Sequence, residues 1–559
     1  MWCTMKMKSM SESQVRDPSI RFLYGIVLGL VVLAYLPTLQ FSYVHQDQWR
    51  AFRYLSDGDS FSNRLSQCSS LIPPFYITTG RPLVWLTECF EHALVNDLSD
   101  FVFLRPVALA VVLFTVIYIT SVLRQFVGES AIVIAAFLTV SPAYAFMYLQ
   151  GLTALMVLVS VIFATASFDL LGKSMAGGTR ISRHLVISSL LFLLACMMYA
   201  SFAFIVLPLA VIKLMSTALR GSKRVKQFAL SLALYGLLSA LYLVIVRISI
   251  LALGIFRDVP DVGDNYRVSA DFAPRAIAQR GMELADVVFW NSPVNLPTFP
   301  GAALMILMSY IMTTRYQDLD PSRRNNTLTT GLFRCLTFVF ICSMMLLSMS
   351  PVVFSRFSGV GTRHLLPVYL LLSFAATVVV SRVLQSALKL TERRAAFVLV
   401  ALMIVPVSIV QNRNSFIEIS SAQLEVEMIR NRFNIWLQNK VSDRNRFILV
   451  VRPEQYPGLY KDHHLFASGA NPVSIPWMIN AILREKLSDR EFVIADCGFE
   501  VEACVATALT DPNKIAVAYA GGRSAPNTDK LYCPFKPFVV NISSLTSRPV
   551  NVDQLGNCG

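Results

Sequence analysis

A run of about twenty apolar residues, coiled as a helix rising 1.5 Å per residue, is long enough to cross the ~30 Å hydrocarbon core of a bilayer. Such runs recur in this chain near residues 22–42, 102–123, 129–148, 152–172, 184–199, 202–219, 227–249, 298–315, 332–350, 364–384 and 395–411. No water-soluble core can absorb that many, so the pattern predicts a polytopic α-helical membrane protein with about eleven transmembrane helices. The rest of the composition agrees: 55% of the 559 residues are hydrophobic and only 15% charged, with a mean hydropathy of +0.55. The first run is too long for the apolar core of a cleaved leader and has no small-residue cleavage site after it, so it reads as a retained first helix.

The formal net charge of +14 would suit nucleic acid only if it were concentrated. Instead the basic residues fall in short clusters between alternate apolar runs: Lys6, Lys8, Arg16 and Arg21; Arg124; Lys173, Arg180 and Arg183; Lys213, Arg220, Lys223, Arg224 and Lys226; Arg315, Arg323 and Arg324; Arg382, Lys389, Arg393 and Arg394. With an odd number of spans and a cytoplasmic N-terminus, all of them lie on the cytoplasmic side, as the positive-inside rule requires. Residues 1–21 then form a cytoplasmic N-terminus and 22–411 the transmembrane domain. The outer face receives loops 43–101 and 250–297 and everything from 412 to 559. Cys68, Cys89, Cys497, Cys504, Cys533 and Cys558 fall on that outer side, an even set that an oxidising compartment would pair, and at least one disulfide among them is expected. The remaining Cys3, Cys196, Cys335 and Cys342 fall inside or within the bilayer.

The tail changes character after Val410. "RFILVVRP", "REFVIADC", "KIAVAYAG" and "PFVVNIS" read as short strands and "IPWMINAILREK" as a helix among them, which predicts a C-terminal soluble α/β domain over 412–559. Its "AYAGGRS" has paired glycines but matches no dinucleotide or phosphate-loop pattern.

The outer loops hold the chemistry. Directly after the first span, "FSYVHQDQWRAFRYLSDGDS" places Asp47 at the membrane border with Arg50 and Arg53 about one helical turn away, followed by Asp57. Farther along, "ITTGRPLVWLTECFEHALV" sets Arg81 in a Gly–Arg–Pro turn just before an amphipathic helix bearing Trp85, Glu88 and Glu91. A second cluster, "FSRFSGVGTRHLLPVY", puts Arg363 and His364 where a late helix starts. An arginine there can grip a phosphate with two parallel hydrogen bonds while its stem stays in the lipid interface, although snorkelling at a membrane border explains such a residue too. Arg247 fits the snorkelling explanation better. Tyr199, at the outer tip of the fifth span, reads as an interfacial anchor or a cavity-lining residue. The evenly spaced Asp258, Asp261 and Asp264 lack the glycine and terminal glutamate of a calcium loop.

An acid among several arginines at the outer leaflet suits sugar transfer from a lipid-phosphate donor. The acid would take the acceptor's proton, and the guanidiniums would neutralise the departing phosphate. The "HQDQWR" loop after helix one, the "GRPL" turn, the "TRHLLP" start of a late helix and the outer C-terminal domain resemble the GT-C superfamily of membrane glycosyltransferases. Within it the pattern is similar to the phage-type O-antigen glucosyltransferases. The likeness covers roughly residues 20–411.

The resemblance implies a hexosyl- or pentosyltransferase of the bacterial cytoplasmic membrane, with its C-terminal domain periplasmic. The donor would be a polyprenyl-phosphate sugar, and the acceptor a surface glycan such as lipopolysaccharide O-antigen, or a glycoprotein. It puts Asp47 in the place of the catalytic acid and Arg363 in that of a donor-phosphate ligand, with Arg50, Arg81 and His364 beside it. Glu88, Glu91 and Asp57 are the alternative acids. Relatives often carry two adjacent acids after helix one, where this chain has Gln46 and Gln48 flanking Asp47. No cofactor is required, a divalent metal stays an open alternative, and nucleic acid is not an expected partner. The competing readings are a transporter or flippase of a lipid-linked glycan and a membrane anchor displaying a binding domain. The first would show paired repeats and midplane charges, and neither is visible here.

Overall fold

The computed structural model describes residues 18–40, 60–71, 76–77, 80–94, 101–149, 153–176, 183–216, 222–252, 365–416, 447–453, 492–496, 515–522 and 538–541, with isolated positions between 275 and 348 and residue 419. Twelve helices occur among them: α1 (Pro18–Gln40), α2 (Phe61–Leu71), α3 (Val84–Leu94), α4 (Phe101–Val127), α5 (Ala131–Val140), α6 (Pro142–Leu149), α7 (Thr153–Ala176), α8 (Arg183–Ala203), α9 (Val206–Ser216), α10 (Ser222–Ala252), α11 (Leu366–Ala387) and α12 (Glu392–Phe416). Seven stretches among the described residues are long and apolar enough to cross a membrane: 18–40, 103–140, 155–175, 183–203, 226–252, 366–387 and 392–416. The chain is therefore a multi-pass membrane protein. The stretch 103–140 is not one rod. Gly128 adopts φ +62°, a left-handed conformation that costs glycine little, and turns the chain so that α5 packs back on α4.

Two expected spans take a different form. The run 129–148 breaks at Ser141, whose backbone is extended, and Pro142 lacks the N–H that would continue the ladder, so the run becomes α5 and α6. In the run 202–219 the helix α9 begins only at Val206, because α8 reaches Ala203 before the chain turns, and residues 217–219 lie outside the described residues. Residues 298–315 and most of 332–350 lie outside the described residues.

The bundle is built around α5. Its sequence, AIVIAAFLTV, is apolar on every side, and all of it but Phe137 is buried against α1, α4, α11 and α12. Outward-facing positions on other helices carry exposed Phe103, Phe114, Leu190, Leu237, Val244 and Ile248, as surfaces bathed in lipid would. Because lipid tails are as apolar as leucine, helices inside a bilayer gain little from hydrophobic burial and rely on close packing and hydrogen bonds. Where α7, α8 and α10 meet, the Ser167 and Ser188 hydroxyls lie 3.0 Å apart, the Ser188 hydroxyl donates to the Ser167 carbonyl at 2.8 Å, and the Tyr235 hydroxyl stands 3.5 Å from Ser167.

Cross-contacts sort the helix ends into two faces. On one face Arg393 donates to the Ser19 hydroxyl at 2.8 Å, Arg124 pairs with Glu129 at 2.5 Å, and the Glu129 N–H donates to the Glu392 carboxylate at 2.9 Å. Lys173 pairs with Asp169 near the end of α7. On the other face Asn412 donates to the Leu33 carbonyl at 2.5 Å, and Arg105 to the Thr38 carbonyl at 2.8 Å. The basic clusters of the described residues thus gather at the face where α1 begins and α4 ends, as the charge pattern predicts.

All four strands expected in the tail are present: β1 (Phe447–Pro453), β2 (Phe492–Asp496), β3 (Ile515–Gly522) and β4 (Phe538–Asn541). They form a parallel sheet in the order β2-β3-β1-β4. Gly521 and Gly522 pair with Arg452 and Pro453 inside the sheet, so the glycine pair is strand rather than an anion-binding turn. The expected helix over 475–486 lies outside the described residues.

Candidate functional site

The Gly–Arg–Pro segment forms a tight turn fastened from both ends. Gly80 has φ +76°, again a glycine conformation, and its N–H donates to the Ile77 carbonyl at 3.1 Å. The Arg81 N–H donates to Tyr76 at 2.7 Å, and the Val84 N–H donates to the Arg81 carbonyl at 3.0 Å, which leads the chain into α3. Two transmembrane helices hold the turn. The Tyr242 hydroxyl of α10 donates to the Gly80 carbonyl at 2.5 Å, and the Met197 carbonyl of α8 accepts from the Leu83 N–H at 3.3 Å. That carbonyl is available because α8 is interrupted at Tyr199 (φ −158°, ψ 97°), which breaks the helical ladder around it.

The same interruption sets the guanidinium. Arg81 lies over the Tyr199 ring at 5.1 Å, a cation–π contact, and Tyr199 is braced edge-on by Phe202 at 5.0 Å. Tyr199 is buried, so it is a support for Arg81 and not the lipid-interface anchor that its position at a helix tip suggested.

Beside the turn, α3 carries Glu88 and Glu91, 0% and 2% exposed and one turn apart on a face turned inward. The Cys68–Cys89 disulfide ties α3 to α2 and meets the expectation of a bridge within the outer cysteine set. Tyr76 and Val84 pack on the disulfide, and α3 also rests on α7. Burying a carboxylate costs free energy unless cations or hydrogen-bond donors answer it. The arginines described at this end of the bundle include Arg81 in the turn, Arg64 on α2 and Arg105 on α4.

Arg105 is buried, and sequence reasoning missed it. Its guanidinium caps the last turn of α1 at the Thr38 carbonyl, one of the four acceptors a helix end leaves open. Around it the Thr38 hydroxyl lies 3.0 Å from that of Tyr148, Tyr148 reaches the Arg105 carbonyl at 3.5 Å, and Tyr35 donates to the Thr139 carbonyl. This network fixes the last turn of α1 against α4, α5 and α6. The signal was a cation inside an apolar run, which in a membrane segment marks a structural or functional contact.

Asp47, Arg50, Asp57, Arg363 and His364 lie outside the described residues, as do Asp258, Asp261 and Asp264. Arg247 is exposed on α10 beside Val244 and Ile248, where a snorkelling residue belongs. Among the described residues no group of three or more His, Cys, Asp or Glu is placed to hold a metal. The part of the site on view offers a positioned guanidinium for an anion, with two enclosed carboxylates behind it.

No protein-family model matches the chain, and no curated protein matches it. Among solved structures it is similar to the crystal structure of the Archaeoglobus fulgidus oligosaccharyltransferase in complex with zinc and sulfate, at 14% identity and a TM-score of 0.37. That match covers 80% of this chain and 62% of the other, so the chain spans less than two-thirds of that protein's length.

Proposed function

We propose that the chain is an integral-membrane glycosyltransferase that moves a sugar from a polyprenyl-phosphate donor to an O-antigen-like surface glycan, on the outer side of a bacterial cytoplasmic membrane. The observation that carries this reading is the Gly80–Arg81 turn. Two transmembrane helices clamp it, an arginine is held over a buried tyrosine, and a disulfide-tied helix with two enclosed acids follows at once. A membrane protein that only spanned or anchored would have no use for a guanidinium fixed this firmly.

In the proposed reaction the acceptor hydroxyl oxygen attacks the anomeric carbon of the donor. The bond from that carbon to the phosphate oxygen breaks, and its electron pair leaves on polyprenyl phosphate. Asp47 takes the hydroxyl proton as the new bond forms, a contribution of roughly a hundredfold to ten-thousandfold. Arg81 and Arg363, with Arg50 and His364 beside them, neutralise the phosphate as it departs, and arginine suits that task because its planar fork meets two phosphate oxygens at once. Residues 412–559 meet the acceptor.

The test is the composition of the surface glycan in a host carrying the wild-type gene, the deletion or single variants. Asp47→Asn keeps the side chain's size and removes the base, so the sugar branch should vanish while the protein stays in the membrane. If Asp57→Asn, Glu88→Gln or Glu91→Gln abolishes transfer instead, the architecture stands and the base is reassigned. A glycan unchanged in all four variants would overturn the reading.

A further inference from the structure

At the basic face, far along α7 and α10 from the Arg81 turn, an open cleft of about 210 Å³ lies between α7, α9 and α10. Its walls are apolar, formed by Leu171, Met175, Leu214 and Phe228. Among the described residues, Lys213 brings a cation into it. Lys213, at the end of α9, extends toward α7 with its ammonium 5.7 Å from the Phe168 ring centroid. Gly172 leaves it room, since a Cβ there would sit 3.1 Å from the Lys213 Nζ. Gln227 and Ser231 of α10 complete the polar rim, Ser231 already donating to the Gln227 carbonyl at 2.9 Å.

We infer that this cleft is a binding site for an anionic phospholipid of the leaflet at the basic face, with Lys213 on the phosphodiester and the apolar walls on the glycerol and upper acyl chains. Charge complementarity selects this occupant. Among the described residues that line the cleft, Lys213 is charged and none is acidic. A water-soluble phosphate would gain nothing from the leucine, methionine and phenylalanine walls, and a neutral lipid would gain nothing from Lys213. Basic pockets between helix ends at a membrane border are suited to this class of headgroup. The site is separate from sugar transfer, and its occupant would wedge α9 against α7 and α10.

Native mass spectrometry of the full-length protein, titrated with phosphatidylglycerol or phosphatidylcholine, tests the assignment. The wild type should hold one phosphatidylglycerol more tightly than phosphatidylcholine, and glycerol 3-phosphate should not displace it. Lys213→Ala should weaken the phosphatidylglycerol adduct roughly fivefold, the scale of one lysine at an anionic surface, and leave phosphatidylcholine unaffected. Lys213→Arg should retain the adduct, and Ser231→Trp, which fills the cleft without touching the charge, should lose it. Equal retention of the two lipids, wild-type phosphatidylglycerol affinity in Lys213→Ala, or displacement by glycerol 3-phosphate would each overturn the site.

Discussion

Tyr242 and Arg81 act through single contacts that can be removed almost without changing shape. Tyr242→Phe deletes the hydroxyl that meets the Gly80 carbonyl and leaves that carbonyl buried without its partner, a loss of about 1–3 kcal/mol in the hold on the turn. Sugar transfer should fall in proportion, and the variant should still reach the membrane in wild-type amount. Arg81→Lys keeps the charge but loses the planar fork and its stacking over Tyr199, so it should impair transfer more than an exposed Arg247→Lys, which should be silent. Gly128 is a matter of space as well as conformation. A Cβ there would lie 1.8 Å from the Glu392 carboxylate oxygen that accepts from the Glu129 N–H. Gly128→Ala should therefore lower the thermal midpoint of the purified protein by several degrees, and an unchanged midpoint would show that Glu392 moves aside at no cost.

The paired elements α2 and α3 depend on a covalent tie, because each has only 11 residues and isolated helices of that length are marginal. The disulfide closes a loop with a sequence separation of 21, worth about 3 kcal/mol in the chain-entropy account. Cys68→Ser with Cys89→Ser should loosen both helices, raise proteolysis within residues 60–94 and reduce transfer, and a reductant should reproduce the effect in the wild type. The four tail strands were legible from short β-branched runs alone, yet only the fold gave their order, β2-β3-β1-β4, since parallel pairing joins segments far apart in sequence. The same limit applies to the helices. Periodicity placed α1, α4, α7, α8, α10, α11 and α12, whereas it missed the break before α6, because hydropathy averages over a window and does not see where one extended residue interrupts a ladder.

For the molecule as a whole, reporter fusions after Lys226 and Arg394 should register as cytoplasmic, and fusions after Asp59 and Asp511 as external; a cytoplasmic C-terminus would dismantle the proposed outer site. The contacts that gather Ser19, Arg124, Glu129 and Arg393 at one end and Leu33, Thr38, Arg105 and Asn412 at the other agree with that alternation. Sequence by itself determined the class of solvent, that the chain crosses a membrane several times, and the gathering of basic residues at one face of the described helices. All of these follow from the local cost of placing a side chain in hydrocarbon or in water. Only the tertiary structure decided that Cys68 pairs with Cys89, that Tyr199 faces inward beneath Arg81, that Glu88 and Glu91 are enclosed, and that Arg105 caps α1. Those outcomes join residues from about 20 to more than 100 positions apart, and no local preference encodes which distant backbone carbonyl, ring or thiol will be within reach once the helices have packed.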